Sequence, residues 1–175
     1  MSTALIRAGE PIELPWLDEP EFRCFGCSPE NPIGLALAML RLPDGRIGAE
    51  ATFGEYHTSY PGVVHGGLVH VLVDEVMGDA LAIEHGLLAF SVTLRTKMLL
   101  PLRVGVPYLA AARIARAAGG LFHTEADVLG PDGEVHVMAS AAYRPIRSAQ
   151  ARDLMGLDDS GYARTRHYFD HEIGP

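Results

Sequence analysis

The longest apolar stretch of the chain, YPGVVHGGLVHVLVDEVMGDALAI over residues 60–83, is hydrophobic on nearly every side. It predicts a helix that starts near His65 and ends by Gly86, a residue suited to the left-handed position after a helix. Upstream, LALAMLRL and RIGAEATF flank the turn-forming PDG, a strand–turn–strand pattern. Downstream come four strand-like runs: Leu88–Leu100, Val104–Ala117, Leu121–Leu129 and Glu134–Pro145. The turns PLRVG, AGG and GPDG separate them. In the first run Ser91, Thr93, Arg95 and Lys97 alternate with Val92, Leu94, Thr96 and Met98, so the two sets are expected on opposite faces. Residues 1–23 are rich in Pro and acids and read as an irregular arm. Residues 147–175 read as a polar tail with room for a short helix, which leaves 24–146 as one domain.

Two strands, one long helix and a four-strand meander make an α+β arrangement. A helix that is apolar all round must be covered on several sides. One antiparallel sheet can do this only by curling. The expected architecture is therefore a curved antiparallel sheet wrapped around one long central helix, the hotdog fold. Hydrophobic residues make up 48% of the 175, enough for a real core. The net charge of −8 argues against a nucleic-acid partner, which needs a basic footprint. No run of eighteen uncharged apolar residues exists, and MSTALIRAGE lacks the apolar segment of a secretory signal. A cytoplasmic protein with no membrane partner is expected.

Against this background Asp74 and Glu75 stand out, adjacent in the middle of the apolar helix among Leu72, Val73, Val76 and Met77. Burial raises the pKa of a carboxyl group, which suits a general base. At about 100° per residue, Asp74 shares a stripe with Gly67 and Gly78, whose missing side chains are expected to leave room for a ligand. Glu75 shares its stripe with Leu68, Leu72 and Asp79 and is expected to make an ion pair or face a partner chain. The helix opens on His65-Gly66-Gly67. Unpaired N–H groups and partial positive charge at a helix start suit a developing oxyanion. Glycines there also serve close packing; the acid downstream favours chemistry. His65 can donate to a substrate or fix the loop, and His70 belongs to core or interface.

Cys24 and Cys27 form a lone C-x-x-C. Structural zinc takes four ligands and no second pair exists, so the expectation is a turn with two small buried residues and no metal. His167 and His171 flank Asp170 at i, i+4 spacing, read as part of a solvated tail.

HGGLVHVLVDE resembles the helix start of hotdog-fold thioesterases of the PaaI-like acyl-CoA thioesterase group, which carry His-Gly-Gly and an acid nine residues after the His. Asp74 stands at that spacing. CFGCSPENPIGLAL resembles the lead-in of a subset of these proteins, and SVTLRTKMLLP and DGEV fit as well, over about residues 24–145. The resemblance implies hydrolysis of an acyl-CoA thioester to a free acid and CoA, with CoA as part of the substrate and no separate cofactor. It implies Asp74 as base or nucleophile and the Gly66 N–H as the group that polarises the carbonyl. Many members place Asn or Gln some fifteen residues before the acid; here that position is Ser59, with His57 as a nearby substitute. CoA phosphates need local cations on an acidic protein, and Arg95, Lys97 and Arg103 are candidates. Ser91 and Thr93 are candidates for the reacting centre, alongside Gly67.

Gly66 and Asp74 are eight residues apart, roughly 12 Å along a helix. One chain cannot serve both ends of the reaction, so a homodimer or dimer of dimers with antiparallel helices is expected. Two other readings stay open. One is a non-catalytic acyl-CoA binding or sensing protein. The other is a hotdog hydratase or dehydratase, because YPGVVHGG faintly resembles that group's Pro-Gly-Val loop.

Overall fold

A computed structural model describes residues 9–18, 22–156 and 158–165. His167, Asp170 and His171 lie outside the described residues. The central helix, α1, spans Gly66–His85. His65 caps its start: the ring Nδ1 accepts the Gly67 N–H at 3.0 Å. Gly86 ends it in the left-handed region at φ 63°, with its N–H bonded back to the Ala82 carbonyl. Val69, Leu72, Val73, Val76, Met77, Ala80 and Leu81 are buried along it. No helix among the described residues is long and apolar enough to cross a membrane.

The strands are β1 (Glu10–Pro11), β2 (Met39–Arg41), β3 (Ile47–Thr52), β4 (Ala89–Met98), β5 (Pro107–Ala118), β6 (Leu121–Leu129) and β7 (Val135–Pro145). They form one antiparallel sheet in the order β1-β2-β3-β5-β6-β7-β4. The sheet does not close into a barrel, so β1 and β4 are its edges. Helix α1 packs on β3, β4, β5, β6 and β7. Five strands at about 4.8 Å spacing exceed the width of a helix, so the sheet must curve to touch it with all of them. Register shifts at Ser91/Thr93, Ile114/Arg116 and Val128/Leu129 supply local bends. The inner face is alanine-rich: Ala49, Ala51, Ala110, Ala112, Ala126, Ala139 and Ala141 are buried in the core that holds α1. Small side chains let the helix approach the sheet closely while Leu72, Val76 and Met77 fill the space between. A smaller cluster of Leu42, Leu109 and Ala111, with Leu40 and Leu129, covers part of the other face.

This is the expected hotdog architecture, with differences in its margins. Of LALAMLRL only Met39–Arg41 pairs as a strand. The preceding residues turn back instead: the Leu35 N–H bonds the Phe25 carbonyl at 2.8 Å and the Leu37 N–H bonds that of Gly26 at 2.9 Å. The strand edge is thus spent on holding the CFGC turn. In the segment read as an irregular arm, Glu10–Pro11 extends the sheet beside Leu40 and Arg41, and Leu14 is buried in the core. The tail holds two short helices, α2 (Ser148–Met155) and α3 (Asp159–Thr165).

Candidate active site

Asp74 lies half-buried on α1, and β7 supplies its partner. The Tyr143 hydroxyl donates to Asp74 Oδ1 at 2.7 Å and reaches the Asp74 carbonyl at 2.9 Å. Burial, and then the neighbouring Asp74 charge, push the Tyr143 phenol up, so it remains a donor. Nothing in the sequence pattern marks Tyr143, an aromatic in an otherwise alanine-rich strand. It also takes up the room expected beside Gly78: a Cβ there would lie 3.7 Å from the Tyr143 ring. The open side of Asp74 is therefore not the Gly78 side.

The start of α1 is arranged as a donor site. The Gly66 N–H, first in the helix, has no acceptor among the described residues. Since Nδ1 of exposed His65 accepts from Gly67, the neutral ring carries its proton on Nε2, which is left to donate outward. His70 bridges from below: Nδ1 contacts the Gly66 carbonyl at 2.9 Å and Nε2 contacts Thr96 Oγ1 at 3.0 Å. A carbonyl can only accept, so Nδ1 carries the proton and Thr96 donates to Nε2. His70 thereby ties the helix start to edge strand β4. His57 is engaged in its own turn, where its ring accepts the Gly54 N–H at 3.0 Å, and its carbonyl accepts the His65 N–H at 2.8 Å. Ser59 is exposed, with its N–H bonded to the Val63 carbonyl at 2.9 Å.

The four β4 candidates do not share a face. Ser91 pairs with Tyr143 and so lies on the helix side, whereas Thr93 pairs with Ala142, Arg95 with Ser140 and Lys97 with Met138. Residues in direct register share a face, and their chain neighbours take the other. The bulge between Ser91 and Thr93 absorbs one residue and flips the alternation. Thr93, Arg95 and Lys97 consequently point away from Asp74 of their own chain. Arg95 and Lys97 instead border a cleft of about 530 Å³ on the outer sheet face, with Arg46, Arg113, Glu125 and Asp127. Arg103 is exposed and its backbone bridges to Val63, in the loop that enters α1.

Among the described residues Glu75, half-buried, forms no ion pair with a cation. It lies against the CFGC turn, with Oε1 hydrogen-bonded to Cys24 Sγ at 3.1 Å. A Cβ on Gly26 would come within 2.5 Å of the end of the Glu75 side chain, which would have to shift to make room. Both partners are shifted. The hydrogen bond from Cys27, above all, pulls the Cys24 thiol down to about 5, and burial pushes Glu75 up to about 8. The Cys27 thiol moves upward beside Cys24. Asp79, one turn on from Glu75, is only 9% exposed, and among the described residues its Oδ2 has no hydrogen-bond partner. Burial raises it far above the ordinary carboxylate range, and the charges of Glu75 and Cys24 add to that.

With this geometry in place, the relatives can be compared. Residues 61–136 match the thioesterase superfamily, a segment that contains Gly66, Asp74 and strand β4. The thioesterase superfamily protein RHA08564 is 25% identical, with a TM-score of 0.65 over 70% of this chain and 60% of that one. This chain thus spans less than two thirds of that relative's length. A Bacillus halodurans protein, BH2602, solved with CoA, is 23% identical at a TM-score of 0.56, over 62% of this chain and 73% of that one. E. coli PaaI, from the phenylacetic acid degradation operon, shares 16% identity at a TM-score of 0.58, over 64% and 80%. No curated protein gives a match. The chain has the hotdog fold, and its residues 61–136 match the thioesterase superfamily.

Proposed function

We propose that the protein is an acyl-CoA thioesterase whose site joins Gly66 of one copy to Asp74 of another. One observation carries this reading: a thioesterase-superfamily helix with an unused N–H at its start and a tyrosine-held acid at its middle. The thioester carbonyl would sit on the Gly66 N–H. Asp74 would take a proton from water, whose oxygen attacks the carbonyl carbon. The tetrahedral oxyanion gains most from the helix-start donor, and its collapse breaks the C–S bond and releases CoA and the free acid. His65 Nε2–H is a second donor to the same oxygen. Ser59, His57 and Gly67 line the approach to it, and Ser91 approaches from the Tyr143 side. Thr93, Arg95 and Lys97 would meet a CoA tail only where it runs over the outer edge of β4; Arg103 is better placed beside the helix entry.

The need for two copies follows from the roughly 12 Å that separates Gly66 from Asp74 along one helix. The free edge of β4 fits that need. It is ten residues long, and Phe90, Val92 and Met98 on it are 42–49% exposed. A long apolar edge strand invites pairing.

The test is a panel of short-, medium- and long-chain and aromatic acyl-CoAs, scored for release of free thiol. Turnover of at least one class is expected. Tight CoA binding with no thiol release would overturn the enzyme in favour of a binding protein. Hydration of crotonyl-CoA without thiol release would make it a hydratase. Tyr143→Phe should lower kcat about tenfold at nearly unchanged KM. It loses one hydrogen bond to the base, worth about 1–2 kcal/mol, and touches no substrate. A change confined to KM would remove Tyr143 from the positioning of Asp74.

A further inference from the structure

The most concentrated chemistry outside the proposed active site lies at the junction of the CFGC turn and α1. Cys24 Sγ, Cys27 Sγ and a Glu75 carboxylate oxygen all lie within 4.8 Å of one another. We propose that these three residues bind a zinc ion that fastens the lead-in turn to the central helix beside Asp74; Asp79, which lies outside this group, would turn its carboxylate toward the ion as the fourth ligand.

Four features support a cation here. First, the donor set is right in kind and spacing. Zn–S bonds of about 2.3 Å and Zn–O bonds of about 2.0–2.2 Å put the donor atoms of a tetrahedral site about 3.3–3.8 Å apart. Cys24 Sγ and Glu75 Oε1, at 3.1 Å, already approach that separation. Second, a polar atom is missing its partner. Among the described residues Asp79 Oδ2 is buried with no hydrogen bond, one helical turn from Glu75 on the same stripe. A buried polar group left unpaired is costly, so the unpaired oxygen needs a reason. Third, counter-charge is lacking. Among the described residues no Lys, Arg or His forms an ion pair with Glu75 or Asp79. A buried and a half-buried carboxyl beside two thiols, with no cation paired to them among the described residues, are neutralised either by protons or by a metal. Fourth, the turn is shaped as a metal knuckle. The Gly26 N–H donates to Cys24 Sγ at 3.3 Å, the type of contact that stabilises a ligating thiolate. Gly26 itself is the position where any side chain would collide with Glu75.

Thiolates select zinc over magnesium or calcium, and a fourth ligand from Asp79 would close the set and make the site structural rather than catalytic. Binding needs the thiols and the ligating carboxyls deprotonated, so the protons they hold leave as the metal enters. The site does not depend on the thioesterase reading, and its test does not use activity. The full chain, reduced and freed of metal, is titrated with Zn²⁺ and separately with Co²⁺. The expected result is one equivalent of zinc by metal analysis. Co²⁺ should give the visible bands of tetrahedral cobalt with thiolate charge-transfer absorption. The Cys24→Ser, Cys27→Ser double variant should lose both. Should that variant fail to fold, Asp79→Asn and Glu75→Gln are near-isosteric. Each should weaken zinc about 10–100-fold or more in competition with a chromogenic chelator. Absence of zinc and cobalt uptake by the folded, reduced wild type would overturn the site. So would zinc retained by the cysteine variant, or affinity unchanged in both carboxylate variants. A Cys24–Cys27 disulfide that re-forms in preference to zinc uptake would replace it with a redox pair.

Discussion

Asp74→Asn should lose about 10²–10⁴-fold in thioester turnover, the range for removal of a general base, while keeping its fold. Asparagine has the same shape, and its Oδ1 can still accept the 2.7 Å hydrogen bond from Tyr143. The loss therefore reports the missing basic oxygen rather than a disturbed helix. The measurement is kcat by thiol release, alongside the thermal unfolding midpoint. Near wild-type turnover in the folded variant would remove Asp74 from the chemistry. Glu75→Gln is the matched control. Glu75 points into the CFGC turn rather than toward Tyr143, so its kcat should stay within about tenfold of wild type while zinc affinity falls. If the two variants ranked the other way, the role of base would pass to Glu75.

Mixed dimers should recover what their parents lack. Gly66→Pro removes the donor N–H at a place where proline fits. Gly66 is the first residue of α1 and is not among the glycines with positive φ. His65 before it sits at φ −67° and ψ 131°, the extended conformation that a following proline requires. A Cβ there would meet only the flexible end of Met98, at 3.3 Å. Gly66→Pro and Asp74→Asn homodimers should both be nearly inactive. Co-refolded in equal amounts, about half the dimers are mixed. Each mixed dimer holds one doubly damaged site and one intact site, so activity should return to about a quarter of wild type. Both parents must run as dimers in size analysis and be shown to exchange. A mixture that exchanges and stays inactive would exclude a site shared between chains.

Much of this molecule was legible before any coordinates, because local signals carry it. The His65 cap and the left-handed Gly86 bound α1 where the residue types place them. β6 runs over Leu121–Leu129 as its alternation predicts, and the other main strands differ by a few end residues. Such signals depend on neighbours one to four positions away. The glycine-led helix start and the two adjacent acids were legible for the same reason, but the choice of Asp74 over Glu75 came from the family resemblance.

What failed to show was every contact across long sequence separation. Tyr143 reaches Asp74 over 69 positions and Cys24 reaches Glu75 over 51. Strict alternation put Ser91, Thr93, Arg95 and Lys97 on one face; a single bulge, invisible in the pattern, turned Ser91 toward the helix and the others away. The C-x-x-C looked isolated because Glu75 lies on a helix that only folding brings beside it. Period and capping residues thus determined by themselves that a long apolar helix lies in a meander sheet. Which acid meets a tyrosine, and which meets a pair of thiols, was decided by the tertiary structure. The reason is physical: a one-residue change of register or a close glycine contact changes a side chain's whole surroundings, while the local hydrophobic pattern stays the same.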